Sequence, residues 1–260
     1  MKKFLLSILG SFVLFVSFAK APKNPTRDYY LIQIYHCSSP SQIANIDAYL
    51  KNTYLPYLHQ NSISKVGVFA PLDNDTATDK RLYVWIPLKS INELDVLDQK
   101  IEKLDPMGKD PVIHLELADS SSPYNRIEKI LTRAFKFQPN YVTKSSLTKS
   151  SSRVYEYRSY ESANENLHLR KVHMFNEGGE VPLFERLNFN AIFYSKVIAG
   201  SRMPNLIYMT SFNNMVDRNA HWKAFVEDAV WKKISVAQEY LKSVNRNETV
   251  LMSARDYADF

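Results

Sequence analysis

The chain has 260 residues, 13% of them aromatic, a single cysteine and a formal charge of +6. One cysteine excludes an intramolecular disulfide and a thiolate zinc site, and the lysines and arginines are scattered among acidic residues, which argues against nucleic acid as a partner. Length and aromatic content predict a core large enough to hold without covalent staples.

Residues 1–21 read as a secretory signal. Lys2 and Lys3 precede the apolar run Phe4 to Phe18, and Ala19-Lys20-Ala21 forms a small-x-small cleavage site. The run is short for a membrane span, so the mature chain is expected to be exported, periplasmic or secreted, with no stable span. Loss of Lys2, Lys3 and Lys20 lowers the charge from +6 to about +3.

Residues 28–143 predict a β-α-β-β-α-β unit. Tyr30 to Tyr35 is rich in β-formers, and Ala44 to Asn61 is an amphipathic helix that Pro56 must kink or break. Strands at Lys65 to Phe69 and Leu82 to Ile86 flank the polar loop Asp73 to Lys80. Ser90 starts a helix running towards Leu104, with Glu93 completing a capping box. Asp105 to Ser122 is weakly patterned, and Arg126 to Phe135 is the fourth strand.

After the Ser/Thr/Lys-rich connector Lys144 to Ser152, residues 153–260 predict the same order. The strands fall at Arg153 to Tyr160, Asn190 to Val197, Leu206 to Phe212 and Thr249 to Ser253. The helices cover about His168 to Leu187 and Met215 to Val244, the second interrupted near Glu227 to Val230. Landmarks recur at a narrow spacing: Tyr30 and Tyr35 match Tyr155 and Tyr160 at an offset of 125, and Asn125, Arg126 and Glu128 match Asn245, Arg246 and Glu248 at 120. The fold class is therefore α+β: tandem ferredoxin-like repeats, each a four-stranded sheet with helices on one face. Their bare faces are expected to close on each other as a pseudo-dimeric α/β barrel.

The second repeat carries RVYEYRSY (Arg153 to Tyr160), RKVHMFNEGGE (Arg170 to Glu180), GSRMPNLIYMTSF (Gly200 to Phe212) and Trp222 with Trp231. These strings resemble NIPSNAP domain proteins of the dimeric α/β-barrel superfamily. Members of that family show an E-L-R-x-Y type first strand in both halves. Here the second repeat has Glu156-Tyr157-Arg158-Ser159-Tyr160 and the first has Leu31-Ile32-Gln33-Ile34-Tyr35, so a charged pair is lost from one half. The resemblance implies a fold shared with haem-degrading and quinol-type monooxygenases, an unsettled activity, and eukaryotic relatives linked to mitochondria and vesicle traffic.

Alternation puts Tyr155, Tyr157 and Ser159 on one face of their strand and Glu156, Arg158 and Tyr160 on the other. Tyr30, Ile32 and Ile34 match the first set and are apolar enough to meet helices, so Glu156, Arg158 and Tyr160 are expected inside the barrel. A buried Glu and Arg either form a static pair or hold a ligand. Tyr35 and His36 would stand opposite, with His36 near the barrel mouth. Gly178-Gly179 should break the first helix of the second repeat, where free amides, Asn176, Glu177 and Glu180 could meet a polar group; close helix packing is the alternative use of those glycines.

His168, His173 and Glu177 do not converge on one helix face, because His168 lies about 140° round from His173. No metal or other cofactor is expected. Cys37 and His36 point to opposite faces of their strand and form no dyad. Trp222, Phe225 and Trp231 are expected to pack a helix on the sheet.

The leading expectation is an exported NIPSNAP-type barrel that binds a small molecule of apolar or mixed polarity between its sheets. One alternative is a cofactor-independent monooxygenase-like enzyme with Glu156 or His36 as base. Another is a non-catalytic interaction or scaffold module whose barrel is filled by its own side chains. Whether the pseudo-dimer pairs again as a homo-oligomer is left open.

Overall fold

Eight strands form one closed antiparallel cylinder in the computed structural model, which describes residues 26–105, 107, 122–142 and 150–260. The expected signal segment 1–21, most of the stretch Asp105 to Ser122 and most of the connector Lys144 to Ser152 lie outside the described residues. The first repeat contributes β1 (Tyr29–Cys37), β2 (Gly67–Pro71), β3 (Lys80–Leu88) and β4 (Arg126–Ala134). The second contributes β5 (Val154–Glu161), β6 (Asn190–Ala199), β7 (Asn205–Phe212) and β8 (Arg246–Ala254).

Strand order round the cylinder is β1-β3-β2-β8-β5-β7-β6-β4. The two sheets do more than face each other, because both seams are hydrogen-bonded: β2 pairs with β8 from Phe69↔Ala254 to Pro71↔Met252, and β4 pairs with β6 from Leu131↔Ala199 to Ala134↔Ser195. Closure satisfies edge amides that two separate sheets would leave bare.

The helices lie outside. In the first repeat α1 (Pro40–Tyr49) starts at Ser39, whose side chain accepts from the Gln42 amide. A π turn at Leu50–Tyr54 follows, and α2 (Leu55–Gln60) carries Pro56 in its first turn. The kink expected at Pro56 is thus taken up by the wider turn before it, where the missing amide breaks no regular bond. The helix α3 (Ile91–Leu104) begins after Ser90, but the expected capping box does not form: Glu93 accepts from the Lys89 amide at 2.6 Å rather than from that of Ser90, and Ser90 makes no side-chain cap.

In the second repeat the break expected at the glycines separates α4 (Glu165–Phe175) from α5 (Glu180–Arg186). Gly179 precedes α5 with φ +93°, a left-handed conformation that glycine adopts without strain. At Gly178 a β-carbon would lie 2.7 Å from the Met174 backbone and from the Tyr240 hydroxyl. Close packing is therefore a sufficient reason for Gly178, and the left-handed backbone for Gly179. The last helix is interrupted as expected, into α6 (Met215–Glu227) and α7 (Ala229–Ile234), with Asp228 capping α7 through the Val230 amide at 2.8 Å.

Among the described residues three apolar clusters divide the core. One lies under α1 to α3 and includes Tyr35 and Cys37. A second lies under α4 to α7 and includes Tyr160, Phe175, Phe184 and Tyr208; Trp222, Phe225 and Trp231 pack there, as their spacing predicted. The third fills the barrel and draws on both repeats. Its centre is aromatic: Trp85 stacks on Phe193 at 5.6 Å and contacts Tyr30 at 5.3 Å, while Phe69 contacts Tyr155 at 4.8 Å. A β-bulge near Ile192 lets Ile192 and Phe193 both enter this cluster. Among the described residues no helix is long and apolar enough to cross a membrane.

Candidate functional site

The barrel cluster contains Tyr30, Ile32, Ile34, Tyr155 and Tyr157, so the expected assignment of strand faces is reversed. Glu156, Arg158 and Tyr160 point away from the barrel, into the layer between β5 and the helices. The reason is the supply of partners. The inner face of the cylinder holds apolar and aromatic side chains from both repeats, whereas α6 offers Arg218 and Trp222 one turn apart to meet a carboxylate.

Glu156 is fully buried, and both of its oxygens are saturated. Arg158 Nε donates to Oε1 at 2.7 Å and Arg218 Nη2 at 3.1 Å; Arg218 Nε and Trp222 Nε1 each donate to Oε2 at 2.8 Å. Burial alone would push this carboxyl up, but the hydrogen bonds from Arg218 and Trp222 and the adjacent Arg158 outweigh it, so it titrates below the usual carboxylate range. Arg158 lies over the Trp222 ring, 4.0 Å from its centroid, and Arg158 Nη1 donates to the Tyr160 hydroxyl at 2.8 Å. That hydroxyl lies 3.0 Å from the Tyr208 hydroxyl.

Glu180 joins the same layer. Lys171 Nζ lies 3.0 Å from Glu180 Oε2, and both residues are buried. Burial dominates here and holds the Glu180 carboxyl above its ordinary value in spite of Lys171. Asn176 and Glu177 do different work: Asn176 Oδ1 accepts from the Phe137 amide at 3.2 Å, and Glu177 pairs with Lys136 at 3.1 Å. Both clasp the segment that follows β4.

Tyr35 faces α1 to α3 and is separated from the Arg158 layer by the barrel. His36, on the opposite face of β1, reaches the barrel mouth. Its Nδ1 lies 2.9 Å from Asp79 Oδ1 and its Nε2 lies 3.0 Å from Glu128 Oε1; Ser201 donates to Glu128 Oε2 at 2.5 Å. Across the mouth Glu248 receives Arg81 Nη1 at 3.0 Å and pairs with Arg202. The space enclosed by these groups is about 10 Å³, room for roughly one water molecule. The expected grouping of Arg158 and Tyr160 with Tyr35 and His36 is thus not formed. Cys37 is buried away from His36, with its thiol pushed up to about 11 by burial.

Sequence reasoning missed Arg218, Trp222, Lys171, Glu128 and Asp79. Arg218 and Trp222 carried a usable signal, an i,i+4 pair of donors on a predicted helix. The rest are set by tertiary register. Among the described residues no group of three His, Cys, Asp or Glu side chains is placed to hold a metal. His168 is buried and its pKa lowered by that burial, and His173 Nδ1 lies 2.8 Å from the Tyr240 hydroxyl.

The carboxylates give an acid response of defined sign. Glu156, Glu128 and Glu248 are all held below their ordinary range, so each stabilises the fold above about pH 4.3, its unfolded value, and that stability is lost as pH falls through the folded pKa. Glu180 acts oppositely, favouring the fold at low pH and losing that contribution as pH rises through its raised value. Stability measured from pH 6 down to pH 2 should therefore fall in the wild type and fall less in Glu156→Gln. Parallel curves would refute the assignment for Glu156.

Residues 155–258 match the family model NIPSNAP, a span running from β5 to the end of the second repeat. No curated protein matches the chain. Among solved structures, a candidate monooxygenase from Lactobacillus acidophilus NCFM superposes with a TM-score of 0.52 at 9% identity, covering 88% of this chain and 94% of that one. A candidate monooxygenase from Fusobacterium nucleatum gives 0.53 at 7% identity, with 88% and 93% covered, and an anthrone oxidase-like protein gives 0.53 at 8%, with 88% and 92% covered. At such identities the likeness is one of fold. The second repeat thus matches the NIPSNAP family, and the whole chain shares its barrel fold with these structures.

Proposed function

We propose that this protein is a non-catalytic binding protein, exported from the cell that makes it, which uses the barrel as a rigid scaffold and holds a small molecule outside it. The observation that carries this reading is the filled barrel: Tyr30, Trp85, Phe193 and Phe69 occupy the axis where an enclosed substrate would sit. The charged side chains of the second repeat point the same way, since Glu156 has no free acceptor left for a reacting proton.

A second reading, oxygenase-type chemistry, draws on the likeness to candidate monooxygenases and on the Asp79, His36 and Glu128 chain at the barrel mouth, which could pass a proton.

Native mass spectrometry of the protein purified from its own host compartment tests the first reading. The expected result is a chain beginning at Pro22 that carries an extra small-molecule mass, lost on denaturation. A bare chain would count against binding, and a chain retaining Met1 against export. Oxygen uptake with an anthrone that disappears in His36→Ala would replace the first reading by the second.

A further inference from the structure

We infer that the ligand site is the cleft between α5 and the segment following β4, and that it takes a small aromatic amine carrying a hydrogen-bond acceptor at its inner end. This rests on the binding-protein reading above. The cleft encloses about 400 Å³, enough for a molecule of one or two rings.

Its walls are fixed in advance. The Phe135 amide donates to the Tyr194 carbonyl and the Val142 amide to the Ile192 carbonyl, both at 2.9 Å, so residues 135–142 arch away from β6 and return to it. Between these anchors the arch is tied to α4 through Asn176, as described, and to Asp28: the Asp28 amide donates to the Pro139 carbonyl at 2.8 Å and Asn140 Nδ2 to Asp28 Oδ1 at 3.0 Å. A cleft with prearranged walls loses little entropy on filling.

The lining selects the occupant. Phe137, Val181 and Phe189 supply apolar surface, and Phe137 is left 51% exposed. Tyr194 contributes to the floor; it is 1% exposed and its hydroxyl has no hydrogen-bond partner. A buried hydroxyl without a partner is unfavourable, and an ether or carbonyl oxygen on the ligand would satisfy it. Burial keeps this phenol protonated and so a donor. Among the described residues Glu185 is the one carboxylate in the lining, and none of them there is a lysine or arginine. A cationic outer end is therefore attracted and an anionic one repelled.

The test uses 4-methoxybenzylamine and 4-methoxybenzoate as probes on the mature chain, with affinities from NMR shift titration. The amine should bind saturably and at least ten-fold more tightly than the benzoate. Tyr194→Phe should weaken the amine about five-fold while leaving the melting temperature equal or higher, since it removes an unpaired buried hydroxyl. Glu185→Gln should abolish the preference for amine over benzoate. Absence of saturable binding, equal affinity for the two probes, or amine binding unchanged by both substitutions would overturn the assignment. If the host-purified protein still carried its extra mass, the cleft assignment alone would fall and the binding-protein reading would stand.

Discussion

Glu156→Ala should lower folding stability by about 3–5 kcal/mol, the range for removing one partner of a buried ionic network. The substitution deletes a carboxylate that receives four hydrogen bonds and leaves Arg158, Arg218 and the Trp222 indole without it. Both arginines are mostly buried, so water recovers little of the loss. Arg158→Ala should be milder, because Glu156 keeps Arg218 and Trp222. Arg158→Lys should be milder still, because it keeps the charge beside Glu156, but not neutral, since an ammonium cannot reproduce the fork that reaches Glu156 and Tyr160 together. Urea unfolding at pH 7 gives all three values. A loss below about 1 kcal/mol for Glu156→Ala would mean that solvent screens the network, as it does at a surface pair.

Trp85→Ala should be as severe, at about 3–5 kcal/mol, for a different reason. Trp85 is 2% exposed and meets the rings of Tyr30, Tyr141, Phe193 and Phe260. Its removal leaves a hole bounded by rigid strands that cannot collapse into it. An apolar hole of that kind stays dry and accepts an apolar guest. Indole should therefore raise the melting temperature of Trp85→Ala and leave the wild type unchanged. Indole stabilising the wild type to the same degree would show that the barrel already holds free space. The two variants separate the two halves of the account, one probing the ionic layer outside the barrel and the other the aromatic filling inside it.

Most of the fold was legible in the sequence because each element carries its own signal. Pro56 and the Gly178-Gly179 pair marked real helix breaks, and the interruption near Glu227 was real as well, fixed by the Asp228 cap. The recurrence of Asn125-Arg126 as Asn245-Arg246 marked the equivalent strands β4 and β8. The face assignment failed because alternation separates two faces without saying which is inner. In β1 every residue after Tyr29 is buried, so hydrophobicity cannot break the tie. The tie is broken by residues far along the chain: Arg218 and Trp222, more than 60 positions from Glu156, draw the carboxylate outward. The expectation of His36 near the mouth rested on its place at the strand end and ran against the face given to Tyr30, Ile32 and Ile34, whose parity it shares; its partners Asp79 and Glu128 depend on strand pairings that no local pattern encodes.

The candidate residues of the second repeat were legible as a group and misread as a cavity lining. Glu156, Arg158, Tyr160 and Glu180 do share one layer, but between sheet and helices, where the first three bond to one another and to α6 and Glu180 pairs with Lys171 of α4. Asn176 was singled out for a contact with a polar group at a helix break. It fixes the arch over the proposed cleft through the Phe137 amide.

Xenon pressurisation of wild-type crystals tests the filled barrel most directly, because xenon occupies apolar voids too small for most ligands. The prediction is no xenon among Tyr30, Trp85, Phe193 and Phe69, with a site appearing there only in Trp85→Ala. A well-occupied xenon atom on the barrel axis of the wild type would contradict the account and return the search for a ligand to the inside of the barrel.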